Sequence, residues 1–291
     1  MKKASLINPA YNCSKEELKE CKENIKNYGF KKINDFTSKG KFKKLWSDSP
    51  ENRLKKFEDA WKSNSEVIFC CKGGSGASHF LPLINFKKIK NKKIIIGYSD
   101  ITTLLNPISK KLKILTFHGP NVSKKIDEKS KEAMKKALQM KRYGLNFKNK
   151  EKLNFPNKQL IKGKLIGGNL ERLVETLIYF PLKFKKRILF LEETDLDKYK
   201  IYHLLNYLKN YPSFNPKAIL IGGLPLKDKK EIKKLIKEVF SKTPLIFDLP
   251  FGHQLPNITI PIGANCEIDP KKEKITFSFP KKHKKYAINL D

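Results

Sequence analysis

NKKIIIGYSDITTLL, residues 91–105, runs three isoleucines into Gly97-Tyr98-Ser99-Asp100 and then into a stretch with helical spacing. A short apolar run stopped by glycine predicts a buried strand, and the polar turn after it predicts the start of a helix. The same order appears upstream, where EVIFCC at 66–71 ends in KGGSGASHFLPLI. It appears again downstream, where KILTF at 113–117 ends in His118-Gly119-Pro120. Apolar runs without polar alternation are strands covered on both faces, and helices between them provide that cover. The helices expected here are SKEELKECKENIKNYG at 14–29, PENRLKKFEDAWKS at 50–63 and EKSKEAMKKALQM at 128–140. The reading is a Rossmann-like α/β domain with a mostly parallel sheet flanked by helices.

From Tyr143 to Lys162 the sequence turns polar and is punctuated by Pro156. A second series of elements then begins. GKLIGGNLERLVETLIYF at 163–180 and KRILFLEE at 186–193 are followed by the helical pattern DKYKIYHLLNYLKN at 197–210. AILIGG, KKEIKKLIKEVF and PLIFDLP continue the strand and helix alternation, and EID with ITFSF reads as a closing hairpin. The expected organisation is an N-terminal nucleophile domain at 1–145, a linker or crossing strand at 146–162, and a mixed α/β C-terminal domain at 163–291.

Composition narrows the function classes. The chain of 291 residues carries a net charge of +33, from 62 Lys+Arg against 29 Asp+Glu. Only Arg53, Arg142, Arg172 and Arg187 are arginine, leaving 58 lysines spread along the chain. Lysine is a flexible point charge that lacks the bidentate fork used on bases and phosphates, so no specific nucleic-acid partner is expected. No apolar stretch reaches the ~18 residues of a membrane span. The five cysteines form no C-x-x-C pair, and the N-terminus makes a poor signal peptide. A reducing, cytoplasmic setting is expected.

Ligands in open α/β sheets bind beyond the carboxyl ends of the strands. The loops that qualify are Gly73-Gly74-Ser75-Gly76, Gly97-Tyr98-Ser99-Asp100, Glu192-Glu193 and Phe251-Gly252-His253. They supply backbone donors, a hydroxyl, a carboxylate and an imidazole, which are the parts of nucleophilic acyl transfer. Each loop also has an ordinary structural reading. Ser99 or Asp100 could cap the following helix. Ser99 lacks the G-x-S-x-G frame, and the glycine loop lacks the G-K-[ST] ending of a phosphate cradle. His253 could be an exposed loop residue. His118 reads as a structural loop residue, and His79 and His203 as helix-face residues. The histidines show no metal-ligand spacing.

Taken together, the motifs resemble the LD-carboxypeptidase family of serine peptidases, which includes the microcin C self-immunity peptidases. The matching segments are CCKGGSGASHFLPLINF at 70–86, IIGYSDITTLL at 95–105, TFHGPN at 116–121 and GKLIGGNLERL at 163–173. They continue with ILFLEE at 188–193, YKIYHLLNYL at 199–208, AILIGG at 218–223 and PFGHQLPNITIPIGANCEID at 250–269. The resemblance implies Ser99 as nucleophile, His253 as general base and Glu192 as its orienting acid, with Glu193 the alternative one position on. It implies an oxyanion hole from the N–H groups of Gly74 and Asp100, the Asp100 side chain remaining free to cap the helix. It also implies a homodimer, no metal or organic cofactor, and a murein-derived peptide substrate that loses its terminal D-alanine. A peptide–nucleotide or aminoacyl conjugate is the alternative substrate. His79, Tyr202 and His203 depart from common family residues, and those departures bear on substrate choice.

Overall fold

Each apolar run of the N-terminal half becomes a strand whose side chains are buried on both faces. The computed structural model describes residues 2–38, 40, 42–148, 152–155 and 159–290. Strands β1 (Lys3–Ile7), β2 (Lys32–Asp35), β3 (Val67–Cys70), β4 (Ile94–Gly97) and β5 (Thr116–His118) pair in parallel in the order β5-β4-β3-β1-β2. Helices α1 (Lys15–Asn27), α2 (Pro50–Lys62), α3 (Thr102–Leu112) and α4 (Glu128–Leu138) connect or follow these strands. Helix α1 begins on a reciprocal capping box between Ser14 and Glu17, and α2 on Ser49 with Pro50 in its first turn. Strand β2 has no counterpart in the expected elements. It is a four-residue edge strand with no fully buried position, so it carries no apolar run to reveal it.

The second sheet has eight strands. They are β6 (Tyr143–Asn146), β7 (Lys152–Leu153), β8 (Ile161–Asn169), β9 (Arg187–Glu192), β10 (Ala218–Ile221), β11 (Leu245–Ile246), β13 (Asn265–Asp269) and β14 (Lys274–Ser278). Its order is β6-β14-β13-β8-β9-β10-β11-β7, with β8 to β11 parallel and the flanking pairs antiparallel. Helices α5 (Leu170–Tyr179), α6 (Lys198–Asn210) and α7 (Lys229–Val239) join the parallel strands. The fold is therefore a two-domain α/β architecture with one mostly parallel and one mixed sheet.

The chain exchanges strands between the two sheets. Strand β12 (Ile260–Ile262), late in the sequence, pairs antiparallel with β5 and places Ile260 opposite His118. Strand β6, at the end of the N-terminal half, pairs with β14. Strand β7 adds an edge within the expected linker, of which residues 149–151 and 156–158 lie outside the described residues. The halves are also tied by α3. The Asn106 side-chain amide donates to the Gly167 carbonyl at 2.9 Å, and its oxygen accepts from the Gly167 N–H at 3.2 Å. Thr102 Oγ1 accepts from the Asn169 N–H at 3.1 Å. These buried polar bonds lock the helix that follows Ser99 against the end of β8.

Candidate active site

Strand β4 ends at Gly97, Tyr98 stays extended, and Ser99 opens a 3-10 turn (Ser99–Ile101) that runs into α3. Ser99 has φ +59°, a left-handed conformation that non-glycine residues seldom adopt. A sharp strand-to-helix turn of this kind lifts the side chain above the sheet edge. It also leaves the Asp100 N–H among the first donors of a helical turn, which have no partner within the turn.

The Asp100 side chain does not cap this helix. Its Oδ2 accepts from the Ala77 N–H at 2.9 Å, so it braces the end of the glycine loop. The carboxyl is fully buried, and burial pushes it up to about 6 against the opposing pull of the Ala77 bond and of Arg172. Arg172 Nε stands 3.9 Å from Asp100 Oδ1, which brings α5 of the second half against the serine turn. A cap needs a side-chain oxygen over its own helix's first N–H groups; here a longer-range donor takes that oxygen.

The glycine loop packs directly on the serine. A Cβ at Gly73 would lie 2.9 Å from Ser99 Cβ and 3.1 Å from its Oγ. Gly74 has φ +112°, and a Cβ there would sit 2.3 Å from the Tyr11 ring. Gly73 also accepts a backbone bond from Tyr11 N at 3.3 Å. Only glycine satisfies both the backbone angle and the closeness of that ring.

Glu192 and His253 come from the second half. Glu192 ends β9 and is fully buried; His253 sits in the loop after β11. His253 Nδ1 lies 2.6 Å from Glu192 Oε2, and the Tyr98 ring packs against the imidazole at 4.7 Å between centroids. Burial would raise the Glu192 carboxyl, but His118 and His253 outweigh it and hold it at about 2. Burial would lower His253, yet the bond to Glu192 and its charge leave the imidazole above its usual value. Glu193 is engaged elsewhere, accepting from Glu171 N at 3.3 Å and Thr194 N at 2.9 Å. The carboxylate on His253 is that of Glu192.

Ser99, Gly73, Gly74 and His253 line one cleft of about 620 Å³, with Lys124 and Lys125 on its wall. His118, expected in a loop, is instead the last residue of β5 and fully buried, with Nε2 3.7 Å from Glu192 Oε1. The signal was present in the sequence, since KILTF-His-Gly-Pro is another strand running out at the same sheet edge. His79 ends a 3-10 turn, with Nδ1 3.2 Å from Nη2 of the buried Arg53. Tyr202 and His203 lie on the exposed face of α6, away from the cleft. Among the described residues, no group of three or more His, Cys, Asp or Glu is arranged to hold a metal ion, and no helix is long and apolar enough to cross a membrane.

A serine on a left-handed strand-to-helix turn, sharing one α/β cleft with a histidine bonded to a buried carboxylate, carries the parts of a serine hydrolase. The comparisons with known proteins give the family. Residues 5–119 match the LD-carboxypeptidase N-terminal domain and residues 162–268 its C-terminal domain. A Bacillus subtilis protein described as "Probable murein peptide carboxypeptidase" is 30% identical over 75% of this chain and 74% of its own. The Escherichia coli microcin C7 self-immunity protein MccF is 26% identical over 88% of this chain and 86% of its own. A solved structure of MccF with glutamyl sulfamoyl guanosine superposes with a TM-score of 0.83 at 22% identity, covering 96% of each chain. The chain belongs to the LD-carboxypeptidase family, and its activity is of the carboxypeptidase, serine-hydrolase type.

Proposed function

We propose that Ser99, His253 and Glu192 form a catalytic triad that hydrolyses an amide bond in a small acidic substrate. The observation that carries this reading is the 2.6 Å His253–Glu192 bond opening on the cleft that holds Ser99. His253 Nε2 takes the Ser99 proton as the hydroxyl attacks the carbonyl carbon. The carbonyl oxygen becomes an oxyanion between the N–H groups of Gly74 and Asp100, a stabilisation that exists only as charge develops. Ionised Glu192 keeps the His253 proton on Nδ1 and stabilises the imidazolium. His253 then protonates the leaving amine, and water attacks the acyl-enzyme by the same route.

Lys124 and Lys125 on the cleft wall favour a substrate bearing carboxylate or phosphate groups. Of the two substrate classes the motifs leave open, a peptide–nucleotide or aminoacyl conjugate has the broader support. The match to the E. coli self-immunity protein spans most of both chains. The B. subtilis relative favours the second reading, release of D-alanine from a murein tetrapeptide. Under either reading we take the enzyme to be a cytoplasmic homodimer, a location that the five free cysteines suit.

The deciding experiment offers purified protein each substrate separately, an aminoacyl sulfamoyl adenosine and the free tetrapeptide, with mass-spectrometric detection of the released amine. The leading reading expects faster turnover of the conjugate, and Ser99→Ala should abolish it. Faster release of D-alanine would transfer the assignment to murein peptides. Turnover that survives in both Ser99→Ala and His253→Ala would sink the triad.

A further inference from the structure

The buried carboxylate of the proposed triad has two oxygens, and only Oε2 is bonded to His253. Glu192 Oε1 is shut off from solvent and has no hydrogen-bond partner in the structure. His118 Nε2 stands 3.7 Å from it, on a side chain that is itself fully buried and unpartnered at both nitrogens. An unpaired buried acceptor and an unpaired buried donor each carry a desolvation cost, and facing one another they are the natural remedy. At 3.7 Å the resting contact is electrostatic, and catalytic hydrogen bonds commonly tighten only when substrate is bound.

His118 is held in place from several directions. Its backbone is registered against Gly97 on one side and Ile260 on the other. The Gly119 N–H donates to the Gly97 carbonyl at 3.2 Å. The imidazole meets Phe190 edge-on at 5.3 Å and Tyr98 at 6.1 Å between centroids. Gly97 lies two residues before Ser99, so His118 belongs to the same rigid sheet edge as the serine. Glu192 belongs to the other sheet. The contact between them therefore bridges the two halves that must supply nucleophile and base at a fixed separation.

We infer that His118 is a positioning residue that donates Nε2–H to Glu192 Oε1, keeping the carboxylate ionised and registering the Glu192–His253 pair to the Ser99 edge. The inference rests on the triad reading above. The required tautomer has the proton on Nε2 and a bare Nδ1, which matches a ring without any acceptor at Nδ1. The groups that act on the pair are few. Tyr98 packs against both imidazoles, while Glu193 and Asp195 add negative charge near His253 from beyond β9. Among these, His118 is the group positioned to give a proton to Oε1.

The test uses His118→Phe, which keeps a planar ring and removes the donor, and His118→Gln, which restores an N–H donor. Losing one hydrogen bond to a buried charge should lower kcat by roughly 10- to 100-fold at nearly constant KM. Removing a donor from Glu192 makes its negative charge felt more strongly at His253. The acid limb of the kcat/KM profile should then move upward by about half a pH unit or more. His118→Gln should recover most of both effects. A His118→Phe profile superimposable on that of the parent enzyme would overturn the inference, because a packing role would not move the limb. Should His118→Phe fail to fold, ¹⁵N spectra of the parent enzyme decide, a protonated His118 Nε2 supporting the assignment and a bare one refuting it. Ser99→Ala, run alongside, separates the two levels. If it retains activity, the triad itself is wrong; if it is inactive while His118→Phe is unaltered, only the role of His118 falls.

Discussion

Replacing Ser99 by glycine should make the protein more stable than replacing it by alanine, although both changes remove the hydroxyl. Ser99 sits at φ +59° with its Cβ pressed against the position where any side chain at Gly73 would stand. A non-glycine residue in the left-handed region costs ~1–2 kcal/mol, and glycine relieves that cost. Glycine also gains backbone freedom in the unfolded chain, which takes back ~0.5–1 kcal/mol. The net advantage of Ser99→Gly over Ser99→Ala therefore centres on about 0.75 kcal/mol. For a chain of this size that corresponds to a rise in Tm of roughly 1–3 °C. Both variants would be compared by scanning calorimetry and urea titration, so that a difference in midpoint is seen by two methods. Ser99→Gly melting at or below Ser99→Ala in both would refute the claim that this turn holds strain for the sake of the serine. Strain at a reacting group is tolerated because the neighbouring structure enforces it. Here the enforcing contacts are the Asp100–Ala77 bond and the docking of α3 on β8.

Further outcomes follow from the same geometry. The His253 imidazolium is held above its ordinary 6.5 by Glu192 against the effect of burial, and its neutral form is the base. kcat/KM should therefore rise with pH through a limb above 6.5, and Glu192→Gln should shift that limb downward and cut kcat by about 10³- to 10⁴-fold. The sign for stability is opposite in pH. Glu192, held at about 2 against 4.5, contributes stability above pH 4.5 that is lost as pH falls through 2, so Glu192→Gln should flatten the acid side of an unfolding-versus-pH curve. Gly74→Ala keeps the backbone N–H but forces it out of position, and the displaced oxyanion donor should reduce kcat by ~10²-fold. Adding Tyr11→Ala should restore part of the lost stability by removing the 2.3 Å clash, the strain of the +112° backbone angle remaining; a Gly74→Ala variant that is destabilised yet keeps the parent kcat would exclude the Gly74 N–H from the oxyanion hole.

The sequence by itself determined most of the elements and pointed to most of the candidate site. Runs such as IIIG, VIFC and RILFLE announce buried strands because both faces must be apolar, and their ends show where Ser99, Glu192 and the glycine loop must emerge. Periodicity is local, so it survives in the letters. What only the tertiary structure decided are pairings between residues far apart in the chain. Strand β12 joins the first sheet and β6 the second, because antiparallel edges accept any strand the chain can return to them. Asp100 looked like a cap for its own helix and instead braces Ala77, since a turn residue's carboxylate takes whichever donor folding brings nearest. His118 looked like a loop residue and instead lies buried against Glu192, 74 positions later in the sequence. No pattern within either segment records that contact, which exists only when two sheets from the two halves of the chain meet at one edge.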